Sequence, residues 1–201
     1  MYTLQFDGML WSSGNDWPKP FGLLGYGWLI YHHSTKIAHG YGVFLRPRRA
    51  GSNAAEYLAL IDGLEALADL GIRWEAVEIR GDAKCVIDQM TGAAAVSSPL
   101  TRVLHRRTRR RAQQFRNLTW TWVPRQENQY ADRLSRRSFH YLHYSSHLAQ
   151  YVDRPSVYPG DFIPLVDLRV LSPISPSANR LSNRVGGPKE ERNSLLMSGK
   201  R

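Results

Sequence analysis

Four acidic residues stand where a carboxylate could do chemistry. They are Asp7 beside Gly8, Glu56 in Ser52-Asn53-Ala54-Ala55-Glu56-Tyr57, Asp82 in Arg80-Gly81-Asp82-Ala83, and Asp132 in Asn128-Gln129-Tyr130-Ala131-Asp132. Each alone has an ordinary structural explanation. Asp7 suits a turn at the end of a strand. Asn53 and Glu56 have capping-box spacing, with Asn53 as N-cap. Asp82 suits a helix N-cap, and Asp132 has an i,i+4 partner in Arg136. Gathered in one place they mean something else, because four carboxylates without cations repel and hold raised pKa values. Hard divalent cations remove that penalty, and oxygen-only ligands suit magnesium or manganese. Two such ions about 4 Å apart can activate a water and stabilise a leaving oxygen in phosphodiester hydrolysis.

The elements around these residues predict that they converge. Residues 2–6 form a β-type run stopped by Asp7-Gly8, and two longer aromatic and β-branched runs, 23–33 and 36–45, flank a turn at Ser34-Thr35. Tyr57, Leu60, Ile61, Leu64, Leu67 and Ala68 have helical spacing, with Gly71 as the stop. A strand over 74–80 closed by Gly81, helices over 83–90 and 98–115, a strand over 118–123 and a helix over 128–138 follow. The expected fold is α/β: a five-stranded mixed sheet, its first three strands antiparallel, covered by helices. Strand ends and helix starts meet at one edge of such a sheet, where ligands bind.

The chain has 201 residues, with 27 Lys+Arg against 17 Asp+Glu and a net charge of +10. Its 42% hydrophobic content supports a real core and excludes wholesale disorder. No apolar run approaches the ~20 residues that span a bilayer, and residues 1–6 lack the basic and apolar regions of a signal peptide. A single cysteine, Cys85, fits a reducing cytoplasm and no internal disulfide. Composition divides the chain into a domain over 1–138 and a C-terminal extension over 139–201. The extension starts helical, then becomes Pro/Ser-rich and largely disordered beyond about Pro173. One apolar island, 161–171, either packs back on the domain or docks on a protein partner. The chain is expected to be a monomer.

The four acidic segments, in this order and on these elements, resemble the motifs of type 1 ribonuclease H, over about residues 1–138. That resemblance implies hydrolysis of the RNA strand of an RNA/DNA hybrid with two magnesium ions, leaving 5′-phosphate and 3′-hydroxyl ends. It implies that Asp7 bridges both metals. Glu56 and Asp82 complete the ion on the leaving-group side, and Asp132 the ion presenting the attacking water. Asn53 resembles the family residue that reaches the minor groove, where 2′-hydroxyls are displayed. Gly8 is expected to leave room for a phosphate or 2′-hydroxyl. The loop 123–127, Val-Pro-Arg-Gln-Glu, lacks the histidine that many bacterial members carry, leaving Arg125 or Glu127 as its substitute. Lys84 is a candidate phosphate contact. The loop 9–21 is long and carries Trp11, Asn15 and Trp17, whose expected role is packing over the sheet edge.

Seven arginines and no acid lie between Arg102 and Arg116. Leu100, Val103, Leu104, Ala112 and Phe115 supply an inward stripe, so Arg106, Arg107, Arg109 and Arg110 are expected to face a phosphate backbone with salt-sensitive binding. His143 and His147 have i,i+4 spacing but no acidic or cysteine partner to complete a zinc site. Two other classes of function stay open: a non-catalytic nucleic-acid-binding protein on the same fold, and an exonuclease or resolvase. Proofreading exonucleases carry Asp-x-Glu in the first motif, where this chain has Met9.

Overall fold

The structure, a computed structural model, describes residues 1–11, 21–47, 50–143 and 163–171. Three antiparallel strands open the chain: β1 (Tyr2–Trp11), β2 (Phe21–His32) and β3 (Thr35–Pro47). Helix α1 (Ser52–Asp69), strand β4 (Ala76–Gly81), helices α2 (Lys84–Thr91) and α3 (Pro99–Ala112), strand β5 (Asn117–Trp122) and helix α4 (Gln129–His143) follow. β4 and β5 run parallel to β1. A sixth strand, β6 (Ile163–Leu171), pairs antiparallel with Ala38–Leu45 of β3, completing the order β5-β4-β1-β2-β3-β6. The sheet is therefore six-stranded, not five, and the apolar island packs back on the domain. Its pairing fills the hydrogen-bonding edge that β3 would otherwise leave open.

Arg169 of β6 reaches the carboxylates of α1. It donates through Nη2 to Asp62 and to Glu65 Oε2 (3.2 Å), and through Nη1 to Asp69 Oδ2 (3.3 Å). Asp62 also accepts from the indole Nε1 of buried Trp28. Helix α4 runs through residue 138, so 139–143 and 163–171 belong to regular elements. The histidine pair 143/147, Asn15, Trp17 and the residues beyond 171 lie outside what the structure describes at side-chain level. No helix among the described residues is long and apolar enough to cross a membrane.

Side chains alternate across the sheet. Leu4, Phe6, Tyr26, Trp28 and Ile30 bury against α1, which contributes Tyr57, Leu60, Leu64 and Leu67. The opposite face receives α4, seated on glycines of β2. A Cβ on Gly25 would lie 2.3 Å from the Phe139 ring, and one on Gly27 would lie 2.5 Å from the Ser135 nitrogen. Trp11 packs beside Phe139, ring centroids 6.3 Å apart, as expected of that loop's aromatic start.

Several boundaries differ from the sequence reading, each for a local reason. The β2–β3 turn is His33-Ser34, one residue early, with His33 in the left-handed region at φ 55°. Gly71, at φ 77°, ends α1 as expected. The start of α1 is capped by Gly51, without a side-chain hydrogen bond, so Asn53 is not the N-cap. Ser98 does cap α3, accepting from the Thr101 nitrogen at 3.5 Å, with Pro99 in the first turn. The buried stripe of α3 runs Thr101, Leu104, Thr108 and leaves Val103 half exposed, because the 3.6-residue period carries Val103 off that face.

Candidate active site

β1 does not end at Asp7. It continues to Trp11 because β2 pairs with it throughout, Asp7 opposite Gly27 and Gly8 opposite Tyr26. What ends near Asp7 is the other edge. The last β1–β4 pair is Phe6 with Gly81, after which the chain turns away at Asp82. Asp7 thus sits mid-strand beside an edge that β4 has vacated, with Asp82 at its mouth. Helix α1 closes the third side. A Cβ on Gly8 would lie 2.1 Å from the Glu56 nitrogen, so this glycine makes room for the first turn of α1.

One oxygen each from Asp7, Glu56 and Asp82 lie within 4.8 Å of one another. Asp7 and Glu56 are buried and Asp82 is half-buried. Burial is the main force raising the Asp7 pKa to about 6, with repulsion from Asp82 and Asp132 adding to it and the Ser135 hydrogen bond opposing it. Burial likewise pushes Glu56 well above the usual carboxylate range, helped by Asp7 and Asp82 and opposed by the Gly8 amide. Oε2 of Glu56 is buried with no hydrogen-bond partner. Three crowded carboxylates, two of them buried and one with an unpartnered oxygen, form the donor set that a hard divalent ion satisfies.

Asp132 stands apart from this trio. Its carboxylate accepts from Arg125 Nη2 (2.5 Å) and from Arg136 Nε (2.8 Å) and Nη2 (3.2 Å). Hydrogen bonding from Arg136, then from Arg125, outweighs burial and holds its pKa below the ordinary value. It is nevertheless close enough for Asp7 to feel its charge. The i,i+4 pair with Arg136 is thus present, and Arg125 of the loop lies on the same carboxylate. Glu127 instead pairs with Arg80, Nη2 to Oε2 at 3.1 Å.

Two residues given no role of their own in the sequence, Ser135 and the Asn128 that opens the fourth motif, hold Asp7 and Asp82 from behind. Ser135 Oγ donates to Asp7 Oδ2, and its Oγ also lies 2.9 Å from the Asp132 carbonyl. Asn128 Nδ2 lies 2.8 Å from both Asp82 Oδ1 and the Phe6 carbonyl. Both side chains are fully buried. The available signal was polar character on an inward stripe: Asn128, Ala131, Ser135 and Ser138 share the sheet-facing side of α4 and its approach.

The expected nucleic-acid contacts divide. Asn53 is partly exposed beside the site, with Nδ2 3.5 Å from Cys85 Sγ. Lys84 pairs within α2 to Asp88 at 2.6 Å. Arg107 and Arg111 pair with Glu65 of α1 at 3.5 and 3.0 Å. Arg106, Arg109 and Arg110 are exposed on α3, clear of those pairs. Asp82 is not the N-cap of α2, a position held by Ala83; its carbonyl instead accepts from Trp122 Nε1 at 3.0 Å.

Comparison with known proteins places this geometry. The family described as reverse transcriptase-like matches residues 22–138, which include Glu56, Asp82 and Asp132. The solved RNase H1 from the archaeon Halobacterium salinarum is 33% identical, with TM-score 0.57, covering 69% of this chain and 97% of that one. The chain belongs to the type 1 ribonuclease H family. A second ribonuclease H structure, the N-terminal RNase H domain of rv2228c from Mycobacterium tuberculosis, is 31% identical with TM-score 0.59, covering 75% of this chain and 97% of that one. The curated "Bifunctional protein Rv2228c" of M. tuberculosis is 38% identical over 126 residues, 62% of this chain. This ribonuclease H chain spans about a third of that relative, 32% of its length.

Proposed function

We propose that this chain is an endonuclease that cuts the RNA strand of RNA/DNA hybrids with two magnesium ions, leaving 5′-phosphate and 3′-hydroxyl ends. The observation that carries this reading is the convergence of Asp7, Glu56 and Asp82 within 4.8 Å. Asp7, Glu56 and Asp82 would hold one ion, and Asp7 with Asp132 the other; manganese is expected to substitute. When bound, such ions supply an activated water and neutralise charge at the leaving oxygen. The chain's own residues fix the frame. Ser135 orients Asp7, Asn128 orients Asp82, and the Gly8 amide orients Glu56. Arg125, on the exposed side of Asp132, is placed to meet a phosphate in the role that other members give to a loop histidine. Asn53 is the contact for the minor groove.

An end-blocked hybrid with magnesium is the direct test. Internal cuts in the RNA strand are expected, and none after chelation. Cutting without metal would refute the mechanism, and cutting only from free ends would assign an exonuclease.

The surface of α3 gives a second expectation. Replacing Arg106, Arg109 and Arg110 by glutamine should weaken hybrid binding and lower the slope of log affinity against log salt by about 2 to 3, roughly one per lost phosphate contact. Metal requirement should not change. An unaltered slope in a salt titration would remove α3 from the interface.

A further inference from the structure

Helix α4 presents a second cationic surface, on the sheet face opposite α1. Its 3.6-residue period turns Ala131, Ser135 and Ser138 inward and leaves Arg133, Arg136 and Arg137 exposed. Asp132 borders this arc on the side of the carboxylate site. The arginines do not hang free in solvent. The Arg133 guanidinium lies 5.6 Å from the Tyr130 ring centroid, and that of Arg137 lies 5.5 Å from the Tyr41 ring. Tyr130 itself is 62% exposed. Lys36 and Arg137 both act on His39, their positive charge adding to burial in holding its pKa down. Among the described residues, the carboxylate paired with an arginine of α4 is Asp132, through Arg136.

We propose that this arginine–tyrosine face binds single-stranded nucleic acid continuing from the duplex held at the carboxylate site. The inference rests on the hydrolase reading above and extends it to substrate choice: hybrids with single-stranded flanks are preferred. Three observations support this occupant. The surface is cationic, so its partner is a polyanion. It adjoins the site, since Arg137 lies five residues, about 7.5 Å along the helix axis, from Asp132. The polyanion nearest to it is thus the substrate itself. Finally, one exposed aromatic ring, Tyr130, stands among these arginines, while Tyr41 is buried and holds Arg137 from beneath. An exposed ring beside arginines is the chemistry of single-strand binding, in which bases stack and guanidinium groups meet phosphates.

The test compares a blunt hybrid with one carrying a single-stranded overhang of about ten nucleotides, by fluorescence anisotropy in chelator. The wild type is expected to bind the overhang form about tenfold tighter. Arg133→Gln with Arg137→Gln should abolish that advantage and lower the salt slope by about 1.4, or 0.7 for each of two single-strand phosphate contacts. Cleavage of the blunt hybrid should stay at the wild-type rate. Tyr130→Ala, which removes a stacking surface without touching charge, should lose about threefold of the advantage. Equal wild-type affinity for the two forms, or an advantage that survives the double substitution, would overturn the proposal. So would arginine-dependent binding of polyglutamate in place of the overhang effect, which would assign the face to an acidic protein. Failure of the wild type to cut the blunt hybrid would strike the hydrolase reading instead, while an overhang advantage would still assign α4 to nucleic acid.

Discussion

Glu56→Gln is expected to reduce hybrid cleavage at least about a thousandfold while making the metal-free protein more stable. The two effects have one cause. Glu56 is buried, one of its oxygens has no partner, and two other carboxylates crowd it. Its ionised form is costly in the folded protein and absent as a cost in the unfolded chain. Glutamine keeps the shape, removes the charge and relieves Asp7. The sign can be followed in pH. Asp7 has a folded pKa of about 6 against an ordinary 3.8, so folding is favoured below about pH 4 and this contribution is lost as pH rises through 6. At about 1.4 kcal/mol per pKa unit, the loss from Asp7 is about 3 kcal/mol. Metal-free wild type should therefore melt at a lower temperature at pH 7 than at pH 5, and Glu56→Gln should flatten that fall. Magnesium at pH 7.5 should raise the melting temperature of the wild type and do little for the variant. A variant that melts below the metal-free wild type would contradict this account.

Arg169→Ala should cost about 3 to 5 kcal/mol in a denaturant titration, the usual cost of removing one member of a buried ion pair. The charge in question is Asp62, only a tenth exposed, which Arg169 shares with the Trp28 indole. The penalty is larger than one surface ion pair would give, because Asp62 lies between α1 and the sheet and has little access to water. Adding Asp62→Asn to Arg169→Ala should recover much of the loss, since the most buried of the three carboxylates then carries no charge, Glu65 keeps Arg107 and Arg111, and Asp69 is exposed. A strictly additive double variant would show that the two residues do not share this energy.

The order of elements and the four motifs were legible because they rest on local pattern. The 3.6-residue spacing of α1, its glycine stop and the Ser-Pro start of α3 all appear where the sequence placed them. What was not legible depends on partners remote in sequence. Asp7-Gly8 resembles a strand terminator, yet β2 carries glycine opposite Asp7 and the pairing continues to Trp11. The function of Gly8 shows only when the backbone of α1 lies against it. The island at 161–171 was visible, but its partner in β3 is more than 100 residues earlier. Ser135 and Asn128 were hidden for a different reason. A buried polar residue signals a hydrogen bond without naming its acceptor, and here both acceptors are carboxylates of the site.

The position of β6 bears on how the chain assumes its shape during translation. Asp132, the last acidic group of the set, leaves the ribosome before the strand that covers the outer edge of β3. Synthesis of the 39 residues from Asp132 to Leu171 takes about 2 to 8 s at ordinary elongation rates. For that interval a nascent chain can assemble the whole cation cage while one flank of the sheet is bare. Chaperones or neighbouring nascent chains therefore meet β3 as an open template, and a slow stretch of codons before residue 163 would prolong that exposure.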